Sequence, residues 1–236
     1  MKQNDLFDIF FNKLKKISTP IILVLTMLIW QGLGIIILKI LGINYEKLNE
    51  LYKVMVLFLF DISFILLLIF IYHKDLINDF KRFFNRNFFQ NIRLSFKYWS
   101  IGLVIMVISN FIIAIITNGT LANNEKAVRS LIDTYPLYMA FQVMIYAPLT
   151  EEIIFRKCIK DCINNKILFV IISGLIFGGL HVISSVSSLI DLVYLVPYCS
   201  LGFVFAFLYI KTKNIYSTIV AHSFHNALAF LLYLIG

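Results

Sequence analysis

Charge is what this sequence has least of. Only 14% of its 236 residues are charged and 60% are hydrophobic, against about 25% charged in an ordinary soluble domain. A soluble core cannot absorb that apolar excess, so a water-soluble domain is excluded. Cysteine is scarce as well: Cys158, Cys162 and Cys199 lie in or beside apolar segments without C-x-x-C spacing. That excludes a disulfide framework, and the three read as packing residues. The zinc-peptidase helix motif H-E-x-x-H and the nucleophile elbow G-x-S-x-G are both missing, which argues against zincin and serine-hydrolase chemistry. No internal repeat or flexible linker divides the chain, whereas transporters built from repeated halves show one.

What is present is a series of apolar runs, each about 20 residues long, the length that crosses a hydrocarbon layer near 30 Å thick. They fall near 19–38, 54–72, 98–116, 136–155, 167–183, 189–210 and 215–234. The fold expected is all-α, a polytopic transmembrane bundle of about seven spans. The first run is too long for a signal-peptide core and no small-residue cleavage pattern follows it, so the N-terminus is expected to stay attached.

A net charge of +8 invites a nucleic-acid reading, but the basic residues alternate by loop. Lys2, Lys13, Lys15 and Lys16 share one side with Lys74, Lys81, Arg82, Arg86, Arg93 and Lys97, with Lys157, Lys160 and Lys166, and with Lys211 and Lys213. The other side holds Lys47, Lys53, Lys126 and Arg129. This bias predicts a cytoplasmic N-terminus and a lipid bilayer, not nucleic acid, as partner. The loop 74–97 mixes cations with Phe80, Phe83, Phe84, Phe88, Phe89 and Phe96, which predicts an interfacial helix in the headgroup layer. The polar stretch 118–135 reads as a connecting loop with a short helical pattern.

An ionisable side chain at the bilayer centre costs about 2.5–3.5 kcal/mol, so residues placed there are functional or paired. The span near 136–155 carries Pro148, Glu151, Glu152 and, just beyond, Arg156. Glu152 and Arg156 are four apart and face each other as an ion pair. Glu151 is rotated about 100° away and, partly desolvated, suits a general base for water. Pro148 removes a backbone hydrogen bond and kinks the helix. The next span places Phe177 and His181 on one face beside Gly178 and Gly179. The final span puts His222 and Asn226 on a shared face. At ~1.5 Å of rise per residue, Glu151 lies roughly 17 Å, His181 about 21 Å and His222 about 12 Å from the basic ends of their helices. Two chemistries suit the set. In one, Glu151 and His181 activate water while His222 and Asn226 hold the oxyanion. In the other, His181, His222 and a glutamate such as Glu151 bind Zn²⁺ and the second glutamate is the base.

Glu151-Glu152-x-x-x-Arg156, Phe177-x-x-x-His181 and His222-x-x-x-Asn226 together resemble the motifs of the CPBP intramembrane protease family, which includes type II CAAX prenyl endopeptidases and bacterial Abi proteins linked to bacteriocin immunity or peptide maturation. The resemblance covers about residues 136–230. It implies a catalytic core over 136–236, preceded by spans without a recognised motif over 1–135. It also implies an intramembrane endopeptidase acting on a membrane-associated peptide or protein precursor. Glu151 and His181 would activate water, Arg156 would hold Glu152, and His222 with Asn226 would form the oxyanion site. Both a metal-free glutamate mechanism, which needs no cofactor, and a metalloprotease mechanism using Zn²⁺ are ascribed to the family.

Simpler roles compete. Glu152 with Arg156 serves equally as a packing pair, Phe177 as packing that positions His181, and His225 as an interior histidine. Asp61, inside the second span, reads as a buried polar anchor. A non-catalytic immunity or scaffold protein on the same fold would not need both Glu151 and His181; a proton-coupled transporter is the more distant alternative. The Asn-, Lys-, Ile- and Phe-rich composition fits an AT-rich bacterial genome, so the expected location is a bacterial plasma membrane and the expected substrate an unprenylated peptide.

Overall fold

A chain that crosses hydrocarbon has to satisfy its backbone N–H and C=O groups internally, and this one does so by helix almost throughout. The structure, a computed structural model, describes residues 3–85, 88–183 and 185–236, with side chains described from residue 18 onward except at 85–87 and 184. Its described residues form eight helices and no strand. In chain order they are α1 (Gln3–Ile40), α2 (Glu50–Asn85), α3 (Phe88–Ile116), α4 (Asn123–Thr134), α5 (136–162), α6 (Lys166–Ile183), α7 (Leu195–Thr212) and α8 (Ile215–Ile235). A 3-10 turn, Leu189–Tyr194, leads into α7.

Among the described residues six segments are long and apolar enough to cross a membrane: Ser18–Ile40, Glu50–Phe84, Phe88–Ile116, Lys166–Ile183, Leu189–Thr212 and Ile215–Ile235. The seventh expected span, α5, is differently built. At about 1.5 Å per residue it runs roughly 40 Å, long enough to cross, but it is interrupted by π-turns at Gln142–Tyr146 and Ile153–Cys158. It also carries the charged residues of the candidate site. The interfacial helix expected over 74–97 does not form as a separate element among the described residues. Instead α2 runs on to Asn85 and α3 starts at Phe88. At about 1.5 Å per residue, α2 is some 54 Å long and its end projects beyond the hydrocarbon. Lys2, Lys13, Lys15, Lys16 and Arg86 lie outside the described side chains.

α5 occupies the middle of the bundle. Ile153, Ile154 and Phe155 are buried against Leu23 of α1, Phe64 and Leu68 of α2, Phe169 and Phe177 of α6, Ala206 of α7 and Ile215 of α8. By contrast α1, α2 and α3 expose rows of Ile, Leu and Phe, the surface that hydrocarbon covers.

Close helix approach fixes α6 on α7. A Cβ at Gly178 would sit 2.4 Å from Cys199 Sγ and 2.6 Å from its backbone nitrogen, and a Cβ at Gly202 would lie 2.8 Å from the Gly174 carbonyl oxygen. Gly174 and Gly178 form a small-x-x-x-small stripe. A Cβ at the neighbouring Gly179 would meet only Ile183 Cδ1, at 3.4 Å, so the contact belongs to Gly174 and Gly178.

The first turn of α8 is anchored to the far end of α2. Asp79 Oδ2 accepts the Ile215 N–H at 2.8 Å, Asn214 Nδ2 donates to the Asp79 carbonyl at 2.7 Å, and Asn214 Oδ1 caps the Tyr216 N–H at 3.0 Å. These bonds satisfy N–H groups that a helix start leaves unpaired. At the opposite end of the bundle the 118–135 stretch is more than a connector. Its helix α4 donates from Asn123 Nδ2 to the Ser185 carbonyl at 2.9 Å and from Asn124 Nδ2 to Tyr198 Oη at 3.4 Å.

Candidate active site

The site begins with a backbone irregularity in α5. In its first π-turn the Ala147 N–H bonds to the Gln142 carbonyl, five residues back. The next bond in that register would run from residue 148 to the Val143 carbonyl, but Pro148 has no N–H. Asn226 Nδ2 of α8 takes the place at 2.8 Å from Val143 O. Thus Pro148, read from sequence as a kink, leaves an acceptor that joins α5 to the His222–Asn226 face of α8.

One turn further on, Glu152 and Arg156 are both fully buried. Arg156 Nε lies 3.0 Å from Glu152 Oε2 as an ion pair, and His222 Nδ1 lies 2.9 Å from Glu152 Oε1. Because a carboxylate only accepts, Nδ1 carries the hydrogen and Nε2 faces the rest of the site. Arg156 Nη1 donates to Ser173 Oγ at 2.9 Å, which in turn donates to the Phe155 carbonyl at 2.7 Å. The guanidinium carbon lies 4.8 Å from the Phe177 ring centroid, a cation–π contact that further compensates the buried charge. Glu152 thus has two cationic or hydrogen-bonding partners where sequence reading supplied only Arg156.

His181 is held by a different device. Its Nδ1 is 2.8 Å from the Phe177 carbonyl, so the same logic makes Nδ1 the donor and leaves Nε2 as the lone-pair nitrogen of the neutral ring. Phe177 lies against the ring at a centroid distance of 4.6 Å, and Tyr198 stacks on it at 5.0 Å and 24°. Phe177 also meets His222 edge-on at 5.6 Å, while Phe205 lies 5.3 Å from that imidazole. Phe177 therefore packs against both histidines and Arg156. Ser173, Tyr198 and Phe205 escaped the sequence reading because single apolar or hydroxyl residues in spans carry no spacing signal. Ser173 alone had a clue, being next to the Gly174-x-x-x-Gly178 stripe.

Glu151 is half-buried, and its Oε2 is enclosed without a hydrogen-bond partner among the described residues. No hydrogen bond joins Glu151 directly to His181. The charges around Glu151 are His222, Glu152 and Arg156. His225, expected to be an interior histidine, has its Nδ1 enclosed without a hydrogen-bond partner among the described residues.

Among the described residues no three His, Cys, Asp or Glu side chains converge closely enough to hold a metal ion, so Glu151, His181 and His222 do not form a ligand set as arranged. His181 and His222 each have Nδ1 engaged, a pattern that bases and metal ligands share.

Residues 133–228 match the family model of the type II CAAX prenyl endopeptidase Rce1-like proteins. The similarity to that family spans less than half of the chain. The Rce1-like segment holds all of α5, α6 and α7 and the part of α8 bearing His222 and Asn226, in agreement with the motif resemblance. Over 152 residues the chain is 35% identical to the Bacillus subtilis (strain 168) protein named "Putative membrane peptidase YdiL", covering 57% of this chain and 59% of that one. Over 203 residues it is 26% identical to an "Uncharacterized protein" of Mycoplasma capricolum subsp. capricolum, covering 80% and 57%. It is also 25% identical over 147 residues to the "UPF0177 protein YxdF" of Lactococcus lactis subsp. lactis, covering 60% and 79%. The chain spans less than two thirds of the length of the first two relatives. No solved structure matches it.

Proposed function

We propose that this protein is an intramembrane endopeptidase that hydrolyses a peptide bond in a membrane-associated peptide or protein precursor. One observation carries the reading: of two adjacent glutamates, Glu152 is ion-paired to Arg156 through one oxygen and bonded to His222 through the other, while the enclosed Oε2 of half-buried Glu151 has no partner among the described residues. A buried carboxylate oxygen left unpaired costs stability unless it has a use, and a general base must keep an oxygen for its water.

In the proposed reaction Glu151 takes a proton from water while His181 Nε2 accepts that water's second hydrogen and aligns it. The water oxygen bonds to the scissile carbonyl carbon. His222 can donate from Nε2 to the resulting oxyanion only with both ring nitrogens protonated, a state the Glu152 carboxylate stabilises through Nδ1. Asn226 has one amide N–H on Val143 O, so its second N–H is the one offered to the oxyanion. When the C–N bond breaks, Glu151 passes its proton to the leaving amine. Glu152 and Arg156 hold His222 in place without touching substrate. The lysine distribution supports a cytoplasmic N-terminus and the bacterial relatives support a bacterial plasma membrane as the location, and bacteriocin maturation or immunity is a role that fits.

The test reconstitutes purified protein in vesicles with candidate peptides, each offered with and without an acyl anchor, and identifies products by mass. Cleavage of the anchored form well above the free form supports this reading; no cleavage of either across a broad peptide set overturns it.

A further inference from the structure

We propose that Asp61 of α2, outside the Rce1-like segment, is a positioning residue for the carboxylate site, setting the register of α5 at its first π-turn. The inference rests on the peptidase reading for its catalytic consequence but not for its structural one.

Asp61 is fully buried in a segment read as membrane-spanning, where a carboxylate is costly and therefore retained for a purpose. Among the described residues it has no cation partner. Its oxygens accept from three neutral donors instead: Gln31 Nε2 of α1 at 2.7 Å, Tyr138 Oη of α5 at 2.8 Å, and Gln142 Nε2 of α5 in direct contact. Gln142 and Gln31 also donate to Tyr138 Oη, at 2.7 and 3.2 Å. Two of the three donors to Asp61 thus sit in the last helical turn before the π-turn and on the first residue of it.

A π-turn adds one residue to a helical turn, so its presence rotates everything after it by about 100° relative to a plain α-helix. Glu151 and Glu152 differ by that same angle. Losing the π-turn would therefore point Glu152 away from His222 and move Glu151 out of the place a base must hold. Asn226 secures the π-turn from one side through Val143 O. Asp61 secures it from the other, through Gln142 and Tyr138. The N-terminal spans, which carry no recognised motif, thereby act on the site.

The experiment measures amide hydrogen exchange across the bundle, with peptide cleavage, in Asp61→Leu, Asp61→Asn and the swap Asp61→Asn with Gln142→Glu, which returns a carboxylate–amide pair with the partners exchanged. Asp61→Leu is expected to raise exchange over 139–149 while α6 and α7 stay protected, and to lower kcat by about 10²-fold, the scale of a 1 Å misplacement. KM should stay within about twofold, since ground-state binding is untouched. The swap should restore both protection and kcat where Asp61→Asn alone does not. Unchanged exchange over 139–149 overturns the proposal, as does equal loosening of α6 and α7 or a swap no better than the single variant. Exchange and swap protection need no substrate, so they decide the role of Asp61 even if no peptide is ever cleaved.

Discussion

His222 Nδ1 lies 2.9 Å from Glu152 Oε1, so α8 reaches the charged turn of α5 through the same carboxylate that faces Arg156 at 3.0 Å on its other oxygen. A fully buried carboxylate shared by two partners makes each partner's removal expensive. The remaining charge is left in a low-dielectric interior with less compensation.

Arg156→Ala is accordingly expected to destabilise the protein by about 3–5 kcal/mol, the usual cost of stripping one member from a buried pair. Glu152→Ala with Arg156→Ala together should cost less than the sum of the singles. Unfolding midpoints in detergent, taken as a double-mutant cycle, check this. Additive losses would show that the two charges do not depend on each other.

Gly178 and Gly179 are neighbours with opposite surroundings. Gly178→Ala forces a Cβ to within 2.6 Å of the Cys199 backbone nitrogen, whereas Gly179→Ala meets only a side-chain carbon at 3.4 Å. Gly178→Ala should cost about 1–3 kcal/mol as an overpacked contact. Gly179→Ala should be neutral or stabilising, because alanine favours helix by up to about 1 kcal/mol over glycine. Thermal unfolding of the two variants separates these expectations.

Asn226 and Pro148 should be energetically coupled, because one supplies the hydrogen bond that the other withholds. Asn226→Ala in the natural background leaves Val143 O unpaired, at a cost of about 1–3 kcal/mol. With Pro148→Ala in place a backbone N–H is restored, and the added cost of Asn226→Ala should fall by about 1 kcal/mol. Equal losses in both backgrounds would break the link between the two residues.

Cleavage is expected to withstand a strong chelator, since Glu151, His181 and His222 do not converge as a ligand set. Loss of activity on chelation, recovered by adding Zn²⁺, would instead support the metal mechanism.

Much of this architecture could be read from residue pattern alone. Long apolar runs read as about seven spans, of which six form helices long and apolar enough to cross among the described residues, because a helix is the backbone's main solution in lipid. The i, i+4 spacing gives the Glu152–Arg156 pair and the shared face of His222 and Asn226. Contacts between distant spans were not legible: His222 on Glu152, Tyr198 on His181 and Asp61 on Gln142 join residues whose separation along the chain carries no period. The π-turn at Gln142–Tyr146 was hidden because register is fixed by tertiary partners, although Pro148 hinted at irregular backbone. In the 74–97 stretch the composition indicated headgroup depth, but helix continuity of α2 and α3 decided the shape. Gly174, one turn before Gly178 on the same face, is obscured in the sequence by the adjacent pair Gly178 and Gly179, of which only Gly178 lies in the close contact.

The central claim is that Glu151 and His181 activate the attacking water, and single-turnover cleavage by purified protein in vesicles tests it most directly. Wild type is compared with Glu151→Ala, His181→Ala and, as a histidine control distant from the site, His73→Ala. Each of the first two should lose about 10²–10⁴-fold in rate, the usual contribution of a positioned acid–base group, while His73→Ala keeps the wild-type rate. Glu151→Ala or His181→Ala cutting as fast as wild type would contradict the account.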